Sequence, residues 1–306
     1  MKLQVLLSSY NGEKYISELL DSLFAQDYSD LSILIRDDGS EDRTINLIEN
    51  FAQIHPDRIS FFIGENIGVI RSFFSLLQLS SESALYYAYC DQDDVWKKNK
   101  IQLAVDVLEK IPQDVPAMYC SRTELVNDSL EYIGFWPRIP SKSLSFSNAL
   151  AENIAVGCTV VINKAARNLL LEKKPNVDKI IMHDWWTYLL VSAFGVVVYD
   201  KIPTILYRQH DNNTIGGDIN FLRKWKNKLL RFFKKTNKNI LVNQAVECFR
   251  LFGDDLTEEK KKVVYKFIRY KSNFLNRIFY TFNCEVYRQS SIENFIFKFM
   301  LILGRV

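Results

Sequence analysis

Three carboxylates fall within four residues, at Asp91, Asp93 and Asp94, directly after the apolar, aromatic run Leu85–Cys90. Such a run predicts a buried strand, and carboxylates crowded at its end repel one another unless a positive charge lies among them. A hard divalent cation would supply that charge, because Mg²⁺ takes oxygen ligands and shares them with substrate phosphates. The alternative is a solvated acidic turn, and this would be the better interpretation if an Asp-x-Asp motif stood alone in the sequence. Polar clusters at other strand ends favour the metal site.

Two further polar clusters follow predicted strands. Ser8–Gly12 follows Leu3–Leu7, and Asp37–Ser40 follows Leu31–Ile35. Apolar residues at helical spacing predict intervening helices over Glu13–Ala25, Asp42–Phe51, Gly68–Leu79 and Lys97–Lys110. Strands that alternate with such helices predict a mostly parallel sheet covered on both faces. Ligands of these sheets bind at the carboxyl ends of the strands, so three clusters at one edge predict a site.

Beyond the fourth strand the pattern is looser. Val156–Ile162 is predicted as a buried strand and Phe135–Pro140 as a loop. A helix that begins at His183 places His183 and Asp184 in its first turn, where negative charge is favoured. From about Ile219 onward the sequence predicts helices only.

The length of 306 residues suits one large α/β domain, alone or with an appendage. The five cysteines are odd in number and form no Cys-x-x-Cys pair, which favours reduced thiols in a cytosolic protein over disulfides or a zinc site. The apolar run at the N-terminus is too short for a signal peptide. The sequence contains no run of 18 or more apolar residues, so no membrane-spanning helix is predicted.

The net charge of +3 is unevenly distributed. Residues 219–306 carry 19 Lys+Arg and 7 Asp+Glu, which leaves 20 basic and 29 acidic residues in the remainder. A basic tail on an acidic body predicts an anionic partner for the tail. Nucleic acid is disfavoured, because no reader motif is present and the acidic body would repel phosphates.

Within this tail, residues 221–235 place Trp and Phe on one side of a helix and Lys and Arg on most of the rest. This pattern predicts an interfacial helix on anionic lipid. The alternative is a helix packed on the body with a solvated charged face. Asn294–Leu303 is apolar but too short to span a bilayer, so it suits a core, a membrane contact or an oligomer interface.

Residues 1–215 resemble the family 2 glycosyltransferases, which share the GT-A fold, a nucleotide-sugar donor and an Asp-x-Asp metal site. The resemblance rests on the motifs Val5–Tyr15, Arg36–Asp42, Asp91–Asp94 and His183–Trp186. With Tyr207–His210 added, the set is similar to the rhamnosyltransferase branch that builds bacterial cell-wall and capsular polysaccharides from dTDP-rhamnose. The fold expected is α/β GT-A with a mostly parallel sheet over residues 1–217, plus a basic helical C-terminal region over residues 218–306.

The resemblance implies a donor site in the first two motifs. Asp38 would accept a hydrogen bond from N3–H of a pyrimidine base, with Asp37 beside it. The residues expected to frame the base and ribose are Ser9, Tyr10, Asn11 and Glu13. A plain turn is the alternative for the Asp37–Ser40 cluster, since Asp and Gly favour turns, and simple packing is the alternative for Tyr10.

The resemblance also implies a divalent cation, Mg²⁺ or Mn²⁺, with Asp93 as a direct ligand and Asp91 as a contact to the metal or the ribose. His210 would supply a third metal ligand or a phosphate contact. Arg208 would contact the donor phosphates. A satisfied structural histidine is the alternative for His210.

Catalysis is assigned by the resemblance to Asp184 as general base, with His183 as a second candidate or an orienting partner. Helix capping is the alternative for both residues. A single displacement by an acceptor hydroxyl activated in this way inverts the anomeric configuration. A β-linked dTDP-L-rhamnose donor would then yield an α-L-rhamnoside.

The sequence thus predicts a metal-dependent inverting glycosyltransferase that moves L-rhamnose to a saccharide acceptor. The resemblance implies an acceptor carried on a polyprenyl diphosphate lipid, and hence a peripheral location at the cytoplasmic face of the cell membrane. The sequence leaves open whether the chain forms a homo-oligomer. The alternatives for its function are transfer from a UDP-hexose donor and a role as a catalytically silent scaffold of a polysaccharide assembly complex. A nucleotidyltransferase is disfavoured, because the loop Ser8–Gly12 is not the Gly-rich basic loop such an enzyme would need.

Overall fold

The structure is a computed structural model that describes residues 2–209 and 239–306. The chain divides into two compact units. The first comprises Met1–Ile139, Ala155–Glu172 and Gly195–Gly217, and the second comprises Pro140–Ile154, Lys173–Phe194 and Asp218–Val306. The predicted boundary between residues 217 and 218 lies outside the described residues, as does the predicted basic helix over residues 221–235.

The first unit contains two sheets. Its strands are β1 (Leu3–Ser9), β2 (Leu31–Asp37), β3 (Ile59–Ile63), β4 (Tyr86–Asp91), β5 (Val95–Trp96), β6 (Ala117–Ser121), β7 (Thr123–Val126), β8 (Tyr132–Trp136), β9 (Val161–Asn163), β10 (Val196–Asp200) and β11 (Ile205–Arg208). The larger sheet has the order β10-β6-β9-β4-β1-β2-β3, and the smaller has the order β5-β11-β7-β8. In the larger sheet β9 runs antiparallel to β4 and β6, whereas the remaining pairs are parallel. The predicted mostly parallel sheet is confirmed.

Helices cover this sheet, as the alternation of patterns predicts. Those of the first unit are α1 (Ile16–Phe24), α2 (Thr44–Ile54), α3 (Val69–Leu79), α4 (Lys100–Leu108) and α6 (Lys164–Glu172). In β1 the side chains of Leu3, Val5, Leu6 and Leu7 are all fully buried. Because successive side chains of a strand point to opposite faces, both faces of the sheet are packed at β1, which explains its unbroken apolar run.

Three predictions of local structure are wrong. Val95 and Trp96 form β5, which pairs with β11, so α4 begins at Lys100 rather than at residue 97. Residues 157–159 form a short 3₁₀ turn, and β9 begins only at Val161. Phe135 and Trp136 belong to β8 and not to a loop. β5 and β9 have two and three residues and pair with strands that are distant in sequence, so local periodicity carries little signal. β8 pairs with the neighbouring strand β7.

The second unit is helical among its described residues. Its helices are α5 (Phe146–Ala149), α7 (His183–Phe194), α8 (Ile240–Phe252), α9 (Glu258–Arg269), α10 (Phe274–Phe282) and α11 (Ser291–Ile302). Helices over residues 239–306 confirm that part of the predicted helical region. Across the described residues, every helix is too short or too polar to cross a membrane.

Candidate active site

The carboxyl ends of β1, β2 and β4 lie side by side. The register pairs Ser9 of β1 with Asp37 of β2, and Ser8 of β1 with Asp91 of β4. The Ser9 hydroxyl donates a hydrogen bond to Asp37 Oδ2 at 2.9 Å. Three residues predicted from separate motifs are therefore brought together at one edge of the sheet.

Gln92 ties the acidic turn after β4 to the loop after β1. Its Oε1 accepts from the Tyr10 backbone N–H at 2.8 Å, and its Nε2 donates to the Tyr10 carbonyl at 2.9 Å. A Cβ at Gly12 would lie 2.3 Å from Gln92 Oε1, so the absence of a side chain at Gly12 permits this contact. The Tyr10 ring is 44% exposed. Nothing in the sequence predicts the role of Gln92, because a residue between two aspartates carries no signal of its partner.

Asn11 and Glu13 connect the β1–α1 loop to the loop that follows β2. The Asn11 N–H donates to Ser40 Oγ at 2.8 Å, and Asn11 Oδ1 accepts from the Glu41 N–H at 2.9 Å. Glu13 Oε2 accepts from the Arg43 N–H at 3.1 Å. Asn11 has a φ of 48°, a left-handed conformation that asparagine tolerates. Both residues fix the shape of the loop, and their contact with a donor stays a prediction.

Asp37 organises the turn after β2 through four hydrogen bonds. Its Oδ1 accepts from the N–H groups of Gly39 at 3.1 Å and Ser40 at 2.7 Å. Its Oδ2 accepts from the hydroxyls of Ser9 and Ser40. The carboxylate is buried, so these donors offset the cost of removing its charge from water.

Asp38 is buried beside Arg36, and their side chains form an ion pair. Asp38 Oδ1 also accepts from the Ile67 N–H and Oδ2 from the Gly68 N–H, each at 2.9 Å. These contacts attach the loop before α3 to the end of β2. A carboxylate accepts about four hydrogen bonds, and three donors are described here, which leaves room for the predicted contact to a base. The Glu65–Gly68 loop has no counterpart in the sequence prediction, although Gly68 before an apolar helix is a signal of a helix start.

The acidic turn places its three carboxylates in different surroundings. Asp91 and Asp93 are half-buried, whereas Asp94 is buried. Asp94 Oδ1 accepts from the Arg208 N–H at 3.2 Å, and among the described residues its Oδ2 lacks a well-formed hydrogen bond. Ligand atoms of Asp91, Asp94 and Cys158 lie within 4.8 Å of one another. Burial, together with the charges of Asp93 and Asp91, holds the pKa of Asp94 well above its usual range.

Of this set, the carboxylates of Asp91 and Asp94 suit a divalent cation, and Asp93, the predicted direct ligand, is not among the three grouped residues. Carboxylate oxygens are the ligands that Mg²⁺ and Mn²⁺ prefer, and a positive charge would relieve the repulsion that raises the pKa of Asp94. The Cys158 thiol is fully buried, and burial beside Asp94 and Asp91 raises its pKa well above the usual range. A protonated thiol is a poor nucleophile, so Cys158 packs within the site and does not attack a substrate.

Arg208 braces the acidic turn from the end of β11. Its guanidinium is buried and donates from Nε to the Asp93 carbonyl at 3.0 Å. Further N–H groups donate to the Asp128 carbonyl and to the carboxylate of Glu18, and the guanidinium stacks on the Tyr15 ring at 4.7 Å. These contacts position the turn. A contact of Arg208 with donor phosphates stays a prediction.

Lys100 adds a buried positive charge behind the acidic turn. Its side chain is fully buried, with Nζ 3.9 Å from the centre of the Trp96 ring. Within residues 2–209 and 239–306, Nζ has no hydrogen-bond partner. Burial lowers the pKa of Lys100 to about 8. The sequence does not predict this burial, because a lysine at the start of a helix normally faces solvent.

His183 and Asp184 begin α7 in the second unit, as predicted. Both side chains are buried, and Asp184 Oδ1 accepts from the Trp185 N–H at 2.7 Å. Trp185 Nε1 donates to the Ala149 carbonyl at 2.7 Å, which fixes the start of the helix within its own unit. Burial lowers the pKa of His183 to about 3, so this imidazole is neutral at pH 7. The other predicted histidine, His210, lies outside the described residues.

Comparison with known proteins identifies relatives of the chain. Residues 4–170 match the model of the family described as Glycosyl transferase family 2. The dTDP-rhamnosyl transferase RfbG of Shigella flexneri is 33% identical over 234 residues, which cover 72% of this chain and 77% of that relative.

Two solved structures share the fold. S. aureus TarS in complex with UDP-GlcNAc aligns with a TM-score of 0.59 at 17% identity, over 89% of this chain and 72% of that chain. The mannosyltransferase PcManGT from Pyrobaculum calidifontis, in complex with GDP-Man and Mn²⁺, aligns with a TM-score of 0.51 at 19% identity, over 81% of this chain and 64% of that chain. Together with the sheet described above, these likenesses confirm the predicted GT-A fold.

Proposed function

The chain belongs to glycosyl transferase family 2, and from that premise we propose that it transfers L-rhamnose from dTDP-rhamnose to a saccharide acceptor. The observation that carries the proposal is the alignment of Ser9, Asp37 and Asp91 at adjacent strand ends, beside the acidic turn. A nucleotide at the first two strand ends would have its diphosphate next to the turn. The rhamnosyl donor is supported by the likeness to the dTDP-rhamnosyl transferase RfbG.

We propose that Asp91 and Asp93 hold a divalent cation, Mg²⁺ or Mn²⁺. Bound there, such an ion would offset the negative charge that grows on the departing nucleoside diphosphate. Gln92 and Arg208 hold the turn in place from either side. Asp38, with one acceptor position remaining, would bind the pyrimidine N3–H.

For the transfer itself, we assign Asp184 as the general base. Its carboxylate would take the proton of the acceptor hydroxyl while that oxygen bonds to the anomeric carbon and the bond from this carbon to the diphosphate oxygen breaks. His183 is neutral at pH 7, so Asp184 would provide the negative charge. His183 would serve as an orienting partner of Asp184. One displacement of this kind inverts the anomeric configuration.

The proposed acceptor is a saccharide on a polyprenyl diphosphate lipid at the cytoplasmic face of the cell membrane. The proposal rests on the family resemblance and on the excess of 19 basic over 7 acidic residues in residues 219–306. A lipid-linked acceptor requires the enzyme to work at an anionic surface, where such an excess is favourable.

The test is release of dTDP from dTDP-rhamnose by the purified chain, with and without Mg²⁺ or Mn²⁺. Asp93→Ala should abolish the metal-dependent turnover, whereas Asp184→Asn should bind donor normally in calorimetry but transfer nothing. Exposed carboxylates provide matched controls, with Asp21→Asn in the first unit and Asp254→Asn in the second. Wild-type rates in both site variants would contradict the assignment. Turnover of UDP-sugars alone would indicate a UDP-hexose transferase, and binding without turnover would indicate a scaffold.

A further inference from the structure

The helices α10 and α11 expose an unusual amount of apolar surface. They contact each other within the second unit. Eight large apolar residues, seven on these helices and Leu303 at the end of α11, are between 43% and 79% exposed and are here called the aromatic face: Phe274, Leu275, Phe279, Phe282, Ile292, Phe295, Phe299 and Leu303. Exposed apolar clusters of this kind mark interaction surfaces in otherwise water-facing proteins.

The spacing shows that the aromatic face is additional to the packed faces of the two helices. Leu275, Phe279 and Phe282 recur at four and three residues along α10, which places them on one side of the helix. The buried residues of α10, Tyr280 and Thr281, occupy other positions of the helical turn. The helix α10 therefore packs with one face and presents a second apolar face to solvent, where polar residues are expected.

The same arrangement holds in α11. Ile292, Phe295 and Phe299 recur at three and four residues, and Leu303 follows four residues later. The buried residues Phe297, Met300 and Leu301 form the packed face of this helix. The predicted core and the predicted contact surface of Asn294–Leu303 are thus the two faces of one helix.

The chain segment that carries the aromatic face has more basic than acidic residues, which favours an anionic occupant. Residues 271–306 contain two acidic side chains, Glu285 and Glu293. Each is already paired with a basic residue, Glu285 with Lys266 at 3.0 Å and Glu293 with Arg288 at 3.2 Å. The five basic residues of this stretch are Lys271, Arg277, Arg288, Lys298 and Arg305. The stretch therefore has a net charge of +3.

From these observations we propose that the aromatic face docks on the surface of a bilayer that contains anionic lipid. The phenyl and aliphatic side chains would enter the boundary between headgroups and acyl chains, while Lys271 and Lys298 reach the phosphates. A second copy of the chain fits less well, because it would bring two cationic surfaces together. The inference deepens the proposed membrane location of the transferase by naming its contact surface.

The test is flotation of the full chain with vesicles of phosphatidylcholine alone or mixed with phosphatidylglycerol. Wild-type protein should float with the phosphatidylglycerol vesicles, and added NaCl should weaken this binding. The double variant Phe279→Ser/Phe295→Ser should bind the vesicles at least about tenfold more weakly than wild type. Its thermal unfolding temperature should be unchanged, because both side chains are more than 70% exposed. Ile54→Ser, at a 70% exposed position of α2, should bind like wild type.

Two outcomes would overturn the proposal. Equal flotation of the double variant and wild type would assign membrane attraction to another part of the chain. A wild-type dimer in light scattering that becomes a monomer in the double variant, without vesicle binding by either, would show that a second copy covers the aromatic face. Because vesicle binding is measured without donor, either result leaves the proposed sugar transfer to its own test.

Discussion

Replacing Asp38 with asparagine should destabilise the protein strongly in the absence of any ligand. The Asp38 carboxylate is buried, forms an ion pair with Arg36 and accepts from the backbone N–H groups of Ile67 and Gly68. Asparagine keeps the shape of the side chain but removes its charge and replaces one acceptor oxygen with an NH₂ donor. The Arg36 guanidinium would then be a buried charge without its counter-ion.

The size of the effect follows from the contacts that remain. Removing one partner of a buried ion pair costs about 3–5 kcal/mol. Arg36 keeps its hydrogen bond to the Glu65 carbonyl at 2.9 Å, so we expect a loss near the lower end, about 3 kcal/mol. At roughly 2–4 °C per kcal/mol for a unit of this size, the unfolding temperature should fall by about 6–12 °C.

Urea unfolding and thermal scans of the ligand-free protein measure this loss. Asp128→Asn is the control, because Asp128 pairs with Lys14 at 2.8 Å while both side chains are more than half exposed. Exposed pairs contribute about 1 kcal/mol or less. An Asp38→Asn variant that unfolds like wild type but fails to bind donor would refute the reasoning, since it would show that the carboxylate serves the ligand and not the fold.

Two further predictions concern buried groups whose pKa is shifted. Burial lowers the pKa of His183 to about 3. Below about pH 6.5 the unfolded chain therefore binds a proton that the folded chain does not bind, and the stability of the folded state decreases as the pH is lowered. At pH 5 this costs about 2 kcal/mol relative to pH 7, and urea unfolding of His183→Gln at both pH values should lack that loss. Lys100 has its pKa lowered to about 8, so Lys100→Met should be more stable than wild type at pH 7 by up to about 3 kcal/mol. The difference should shrink as pH rises from about 8 towards 10.5, where the unfolded lysine also loses its proton, and a constant difference would contradict the assignment.

Much of the sheet can be predicted from sequence because each of its long strands is an apolar run with a periodic helix beside it. β1 and β2 begin at the predicted residues, Leu3 and Leu31. β5 could not be predicted, since its two residues form a strand only by pairing with β11 more than 100 residues later. The 3₁₀ turn at residues 157–159 is likewise set by tertiary contacts rather than by local pattern.

The candidate site shows the same division. Carboxylates at strand ends are visible in sequence, because their type and position both carry meaning. The contacts of Gln92 are not, because its partner Tyr10 is brought near only by the folded chain. Arg208 is predicted as a phosphate contact, but its hydrogen bond to the Asp93 carbonyl is not predictable. Asp37 and Asp38 are a case between these two. Their place in a site is predictable, but the hydrogen bonds that they accept from the protein itself are not.

Thermal stabilisation of the full chain by a panel of dTDP- and UDP-sugars, with and without Mn²⁺, tests the central claim most directly. The proposed function predicts a rise in unfolding temperature with dTDP-rhamnose that requires the metal and is lost in Asp93→Ala. Stabilisation by a UDP-sugar, with no response to dTDP-rhamnose, would contradict the rhamnosyl donor while leaving the family and fold intact.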